Sequence, residues 1–277
     1  MSFSAVGLLT LDTTYAFWVE KRREQRIYAA FQPAAVPGPP NFVERPAVAK
    51  KVRKTISSGT GNYEVILGNH GTGKSTIVEK VAGETPGVIY VSISTKGDVR
   101  ENLASAFKQA LDWEEPSDPW MKVFLQGILK TSANGSGKFE ISAIGRYQLT
   151  NLGIAGDART KFQRMFEDFE RFAKKFKAEY HRPAVLVFDN INIVATKDPE
   201  LLYTLQGIAK DATDRNLFKV VFVCSDGVAP AQMQGKLESV SQWRMYLLIL
   251  LQRTQLGRVA PAVVANAVLE TSRSKRQ

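Results

Sequence analysis

The sequence contains very little cysteine: Cys224 is the only one among 277 residues. A single cysteine excludes a disulfide within the chain, and this favours a reducing compartment. The sequence also lacks a long low-complexity tract, an internal repeat, a recognisable helix-turn-helix, a zinc knuckle and an RNA-binding motif. The first two absences are typical of an ordinary folded domain, and the others weigh against a dedicated nucleic-acid reader.

Acidic residues are outnumbered by basic ones. The 27 Asp and Glu against 37 Lys and Arg give a formal net charge of +10. Such a surplus is typical of proteins that meet nucleic acid, an anionic membrane or the mitochondrial matrix, and it also fits a solvated basic surface without a specific partner. Part of it comes from clusters at residues 21–26 and 273–276. We expect an intracellular protein of the cytoplasm or the mitochondrion, with membrane association left open.

The apolar stretch at residues 3–19 is too short for a typical membrane helix, which needs about 20 apolar residues. Asp12 would also cost about 2.5–3.5 kcal/mol inside the bilayer. The aromatic residues at 15–18 and the basic residues that follow are nevertheless typical of a membrane interface. A signal peptide is disfavoured because positive charge is missing before the apolar stretch. Residues 3–26 therefore form a membrane-contacting segment, a packed helix or a disordered leader.

Residues 68–75 have the spacing G-x-x-x-x-G-K-S, which is typical of a phosphate-binding P-loop. The residues around them predict a strand before the loop and a helix after it, as such a loop requires. Lys74 would reach the β- and γ-phosphates, Ser75 would ligate Mg²⁺, and Thr76 would contact the α-phosphate. The candidate nucleotide-binding residues of the loop are Gly68, Asn69, His70, Gly71, Thr72, Gly73, Lys74, Ser75 and Thr76.

Two further apolar runs predict buried strands that end in polar residues. Residues 184–189 read Ala-Val-Leu-Val-Phe-Asp, so Asp189 would lie at the carboxyl end of its strand. This is the Walker B pattern, in which the carboxylate orients Mg²⁺ and its waters. Residues 218–226 form the other run, and Ser225 or Asp226 at its end would sense the γ-phosphate or position water.

Proline divides the chain into regions. Four prolines within residues 32–40 exclude a helix or a central strand there and predict a Pro-rich linker. The segment before it, residues 1–31, is then an apolar leader with a basic junction. We expect an ATPase core at residues 41–235, and at 236–277 a short helical extension, or stub lid, with a basic tail.

These motifs resemble AAA+/STAND-type P-loop ATPases, with a layout nearest to the archaeal-ATPase-like group. The resemblance covers about residues 41–230. It implies an α/β fold in three layers, a parallel sheet flanked by helices, with the strand before Ser225 between the other two motif strands. It also implies ATP and Mg²⁺ as cofactors, with Ser75 and Asp189 on the metal. The segment at the start of the core, including Phe42, Val43 and Arg45, would cup the adenine.

One position departs from the family pattern. Family members usually carry Asp or Glu after the Walker B aspartate to polarise the attacking water, and this chain has Asn190. An amide orients water but cannot accept its proton, so the loss of a base would cost about 10²–10⁴ in rate. The leading hypothesis is a nucleotide-dependent switch that hydrolyses ATP to ADP and phosphate slowly. Its candidate catalytic residues are Lys74, Asp189, Asn190 and Ser225.

Other functions stay open at this point. One alternative is a membrane-anchored oligomeric AAA+ motor, and another is a nucleic-acid-associated ATPase recruited through its basic ends. ATP is favoured over GTP because no guanine-specifying N-K-x-D follows the Walker B strand. Besides ATP and ADP, the sequence leaves open a second copy of the chain, a membrane contacting residues 3–26, an unidentified protein client and nucleic acid.

Overall fold

Every strand predicted around the motifs forms in the computed structural model, which describes residues 5–34, 45–58, 63–115, 156–235 and 244–247. The strands are β1 (Glu64–Leu67), β2 (Val88–Ser92), β3 (Ala184–Asp189), β4 (Phe218–Cys224) and β5 (Arg244–Leu247). The helices are α1 (Ala5–Ala30), α2 (Pro46–Ser57), α3 (Lys74–Glu84), α4 (Val99–Ala110), α5 (Gly156–Tyr180), α6 (Ile191–Lys197), α7 (Pro199–Asp214) and α8 (Val228–Gly235).

The strands form one parallel sheet whose two faces are both covered by helices. Along β3, Ala184, Leu186 and Phe188 join one hydrophobic core, while Val185 and Val187 join the other. Helices α2 and α3 cover the second core, and α4 to α8 cover the first. Burial on both faces explains why β3 and β4 are unbroken apolar runs in the sequence. The predicted three-layer α/β fold is confirmed.

The sheet order brings the motifs to one edge. The strands are arranged β2-β3-β4-β1-β5, so β4 separates the P-loop strand β1 from β3. This is the order that the family resemblance implied. Because the strands are parallel, the carboxyl ends of β1, β3 and β4 open on the same edge, where α/β proteins bind their ligands.

The end of the amino-terminal helix α1 packs on the core, which is one of the alternatives that the sequence left open. Ile27 and the following Phe31 are fully buried, and the ring of Phe31 stacks on Phe169 at 5.8 Å between centroids. Phe31 also accepts a backbone hydrogen bond of 2.7 Å from Gly87, just before β2. Residues at the end of the expected leader, 1–31, therefore contribute to the core.

Ion pairs attach the same part of α1 to the core. Arg23 is buried and pairs with Asp168 on α5, and the same carboxylate accepts a 2.8 Å hydrogen bond from the indole of Trp113. Arg26, one turn further on, binds the carboxylates of Asp112 and Glu114. Basic residues that looked like a solvated junction thus hold α1 in place. No helix in the described part of the chain is long and apolar enough to cross a membrane.

The carboxyl-terminal region also differs from the expected helical extension. Residues 244–247 form β5, which pairs in parallel with β1 through Arg244 opposite Glu64. Without β5, the backbone groups on that edge of β1 would be unpaired. The residues from Met245 onward are an apolar run in the sequence, a pattern that also suits a buried strand. The remainder of the expected extension, residues 236–243 and 248–277, lies outside the described residues.

Candidate nucleotide-binding site

The P-loop connects β1 to α3 through two residues with left-handed backbone. Gly71 has φ of 75° and Gly73 has φ of 77°, a region that side chains disfavour. A Cβ at either position would meet no atom within 4 Å, so backbone angle and not crowding requires glycine. Helix α3 begins at Lys74, directly after this turn. Its free N–H groups and positive dipole end therefore face the loop, as an anion site needs.

Lys74 points into the loop from the first turn of α3. It is only 7% exposed, and its ammonium donates a 2.9 Å hydrogen bond to the carbonyl of Asn69. The Thr72 hydroxyl donates to the same carbonyl at 2.8 Å. Burial lowers the pKa of Lys74, and the nearby Asp189 carboxylate opposes that shift. A phosphate bound beside this ammonium would favour its charged form in the same way.

One pocket at the carboxyl edge of the sheet brings together most of the predicted site residues. The loop and α3 contribute His70, Gly71, Gly73, Lys74, Ser75 and Thr76. The ends of β3 and β4 contribute Asp189, Asn190 and Ser225. Of the other loop candidates, Gly68 continues β1 with a 3.3 Å backbone bond to Cys224, while Asn69 and Thr72 shape the loop through the bonds described above.

The Asp189 carboxylate is held by hydrogen bonds on both oxygens. Asp189 is 1% exposed. The Tyr90 hydroxyl donates to Oδ2 at 2.5 Å, and the backbone N–H of Asn190 donates to Oδ1 at 2.8 Å. Tyr90 was not among the predicted site residues, because its approach depends on how β2 and β3 align. A tyrosine near the end of the neighbouring strand was the only signal in the sequence.

Asn190 has a structural role that the sequence did not indicate. Its backbone is left-handed, with φ of 61°, where β3 turns into α6. Asparagine tolerates this conformation better than most residues. Its side-chain amide donates a 3.3 Å hydrogen bond to the carbonyl of Ile93, just beyond β2. Asn190 therefore joins the ends of β2 and β3 while lining the pocket.

The remaining predicted residues differ in whether they line the pocket. Ser225 lines the pocket, whereas the neighbouring Asp226 is exposed and accepts a 3.1 Å hydrogen bond from the N–H of Val228 at the start of α8. Arg45, just before α2, donates to the Thr72 carbonyl of the P-loop at 3.1 Å. Phe42 and Val43, expected at the adenine, lie outside the described residues.

The donor set of the pocket suits a magnesium ion that is shared with phosphates. No group of three or more His, Cys, Asp or Glu that could hold a metal occurs among the described residues. Ser75 and Asp189 offer one hydroxyl and one carboxylate. Mg²⁺ prefers oxygen ligands, and it commonly takes one or two carboxylates together with substrate phosphates and waters. These residues therefore fit a nucleotide-bound Mg²⁺ better than an independent metal site.

Comparison with solved structures gives similar proteins of low identity. A Walker-type ATPase of Pyrococcus abyssi is 14% identical with a TM-score of 0.41, over 74% of this chain and 52% of that one. The ORC2 protein of Aeropyrum pernix, solved in ADPNP–ADP complexes, is 14% identical with a TM-score of 0.42, over 79% and 50%. Cdc6p of Pyrobaculum aerophilum is 13% identical with a TM-score of 0.38, over 79% and 48%. The chain thus spans about half the length of each.

Comparison of sequences identifies the family. No curated protein matches the chain. The AAA ATPase domain, in contrast, matches over residues 42–221, which include the P-loop, β3 and most of β4. The P-loop pocket and the parallel sheet are the parts that such a nucleotide-binding domain requires. The chain therefore belongs to the AAA ATPase domain family, as an AAA+ P-loop NTPase.

Proposed function

We propose that the chain is an ATP-dependent switch of the STAND type, which binds Mg-ATP tightly and hydrolyses it slowly. The observation that carries this proposal is Asn190 beside the buried Asp189. Among the described residues that line the pocket, Asp189 is the one carboxylate. Both of its oxygens already accept hydrogen bonds, which suits a fixed ligand better than a proton acceptor.

The residues of the pocket divide the work of binding among them. The N–H groups at the start of α3 and the ammonium of Lys74 would hold the phosphates. Ser75 and Asp189 would hold Mg²⁺, directly or through its waters. Bound there, Mg²⁺ would neutralise charge on the β- and γ-phosphates. Asn190 and Ser225 would orient a water near the γ-phosphate, without a base to remove its proton.

The nucleotide site is tested by binding to the full-length chain. Lys74→Ala should weaken Mg-ATP binding by tenfold or more, because a charge-assisted contact to the phosphates is lost. Lys210→Ala, on the exposed face of α7, is the matched control and should bind as the wild type does. Isothermal titration measures both. If a folded Lys74→Ala variant binds Mg-ATP as tightly as the wild type does, the P-loop is not the ATP-binding site.

We also propose that α1 contacts an anionic membrane surface. Tyr15, Phe17 and Trp18 are 69%, 62% and 61% exposed, and the ammonium of Lys21 lies 5.5 Å from the centre of the Trp18 ring. Aromatic residues beside cations are typical of membrane interfaces. Among the residues of α1 whose side chains the structure describes, from Thr14 onward, burial against the core begins at Arg23, so this aromatic group is exposed.

Flotation on vesicles with anionic lipid tests the membrane contact. The double change Phe17→Ser with Trp18→Ser should reduce the floating fraction of the full-length chain several-fold, because two exposed aromatic side chains are lost. Tyr180→Ser removes an exposed aromatic side chain from the end of α5 and is the control. If the double variant floats as well as the wild type, α1 does not provide the membrane contact.

The remaining alternatives differ from a switch in measurable ways. An oligomeric motor would turn over ATP briskly and sediment as a ring when ATP is present. A nucleic-acid-associated ATPase would bind an oligonucleotide with strong salt dependence.

The single cysteine also suggests where the protein is located: we propose an intracellular, reducing compartment, the cytoplasm or the mitochondrion. Burial raises the pKa of the Cys224 thiol to about 12, so the thiol has little reactivity of its own.

A further inference from the structure

The Tyr90 hydroxyl lies against the carboxylate of Asp189 from the neighbouring strand. Strands β2 and β3 are paired so that Tyr90 is opposite Val187 and Ser92 is opposite Asp189. Tyr90 therefore lies two residues before Ser92, the last residue of β2. A tyrosine is long enough to reach the strand end from there, and its hydroxyl approaches Oδ2 to 2.5 Å.

Toward the Asp189 carboxylate, the Tyr90 hydroxyl acts as the donor. Tyr90 is half-buried, with its ring against the core beneath α2 and α3. Of the two groups only the phenol carries a proton to give, because an ionised carboxylate is acceptor-only. A hydroxyl that keeps its proton beside a carboxylate donates to it, and a hydrogen bond to a charged acceptor is stronger than one to a neutral acceptor.

The two donors on Asp189 together fix its side chain. The N–H of Asn190 holds Oδ1, and the hydroxyl of Tyr90 holds Oδ2. Each carboxylate oxygen has a further lone pair for a second partner. With only the backbone donor left, the carboxylate would be able to rotate about its last bond. The Tyr90 bond prevents this rotation and costs the protein no reordering when a ligand arrives.

We propose that Tyr90 is the positioning residue for Asp189, holding the carboxylate in the orientation that engages the magnesium of Mg-ATP. The inference rests on the proposed function of the pocket. Tyr90 acts through Asp189 and contacts no nucleotide itself. Its hydroxyl therefore affects ATP affinity only when Mg²⁺ is present, whereas Lys74 and the P-loop bind the phosphates with or without the metal.

The test compares the gain in ATP affinity that Mg²⁺ provides in the full-length chain. Isothermal titration with ATP is run in excess Mg²⁺ and again in EDTA. Tyr90→Phe keeps the packed ring and removes only the oxygen. We expect it to reduce the Mg²⁺-dependent gain by about tenfold, the order of a hydrogen bond to a charged group, with little change in EDTA. Asp189→Ala should reduce the gain at least as far.

Tyr63→Phe is the matched control. Tyr63 lies just before the start of β1, away from the pocket, and is also buried. Its hydroxyl accepts a 3.2 Å hydrogen bond from Gln206. It should leave the Mg²⁺-dependent gain unchanged, and thermal unfolding verifies that each variant is folded.

Three results would overturn the inference. An unchanged gain in Tyr90→Phe would show that Asp189 is positioned without the hydroxyl. An equal loss in Mg²⁺ and in EDTA would assign Tyr90 to the general structure of the site. A wild-type chain that binds no ATP would instead overturn the proposed function, and the inference with it.

Discussion

Residue 190 has to satisfy a backbone requirement and a chemical one. The turn from β3 into α6 needs φ of 61° there. That conformation costs most residue types about 1–2 kcal/mol, while Asn and Asp adopt it more readily. The backbone would therefore accept an aspartate, a possible base, nearly as well as the asparagine that is present. An aspartate would, however, lose the hydrogen bond that the Asn190 amide donates to the Ile93 carbonyl.

Asn190→Asp should raise the rate of ATP hydrolysis by tenfold or more, because it supplies a carboxylate near the water without straining the backbone. Asn190→Glu should raise the rate less, since glutamate tolerates the left-handed turn poorly. Asn190→Gly suits the turn and offers no base, so it serves as the control with no gain. Steady-state phosphate release measures all three. A brisk wild type that Asn190→Asp slows would indicate another acid, such as Asp226.

At the scale of secondary-structure elements, the end of α1 packs as part of the core and not as a separate leader. Arg23 and Ile27 lie four residues apart on one side of the helix, and Phe31 follows directly after its end, so all three are buried against the core. Because Arg23 and Arg26 belong to a basic cluster, this stripe was not evident in the sequence. A chain truncated at residue 41 would lose it, so experiments on the nucleotide site need the full-length protein.

Phe31→Ala should lower the free energy of unfolding by about 3–5 kcal/mol, because it opens a cavity among the rings of α5. Phe31 is fully buried and contacts Phe169, Phe172 and Phe176. Phe17→Ala is the control, and the exposed Phe17 should change stability by no more than about 0.5 kcal/mol. Urea unfolding measures both. Similar, small losses in both variants would show that the packing of Phe31 contributes little.

At the scale of the molecule, the sequence predicted the elements that carry local signals. The continuous apolar runs form β3 and β4, and Gly71 and Gly73 form the turn of the P-loop, as expected. Three features depend on contacts between distant segments and have no such signal. These are the docking of α1, the pairing of β5 with β1, and the hydrogen bond from Tyr90 to Asp189.

The fate of one bound nucleotide tests the slow switch most directly. The full-length wild-type protein is mixed in excess with trace labelled Mg-ATP, and the label on the protein is identified as ATP or ADP over time. A switch that has Asn190 in place of a base should hold most of the label as intact ATP for many minutes. Asn190→Asp, run alongside, should convert it faster. Conversion to ADP within seconds by the wild type, followed by release and further turnover, would contradict the switch and indicate a motor.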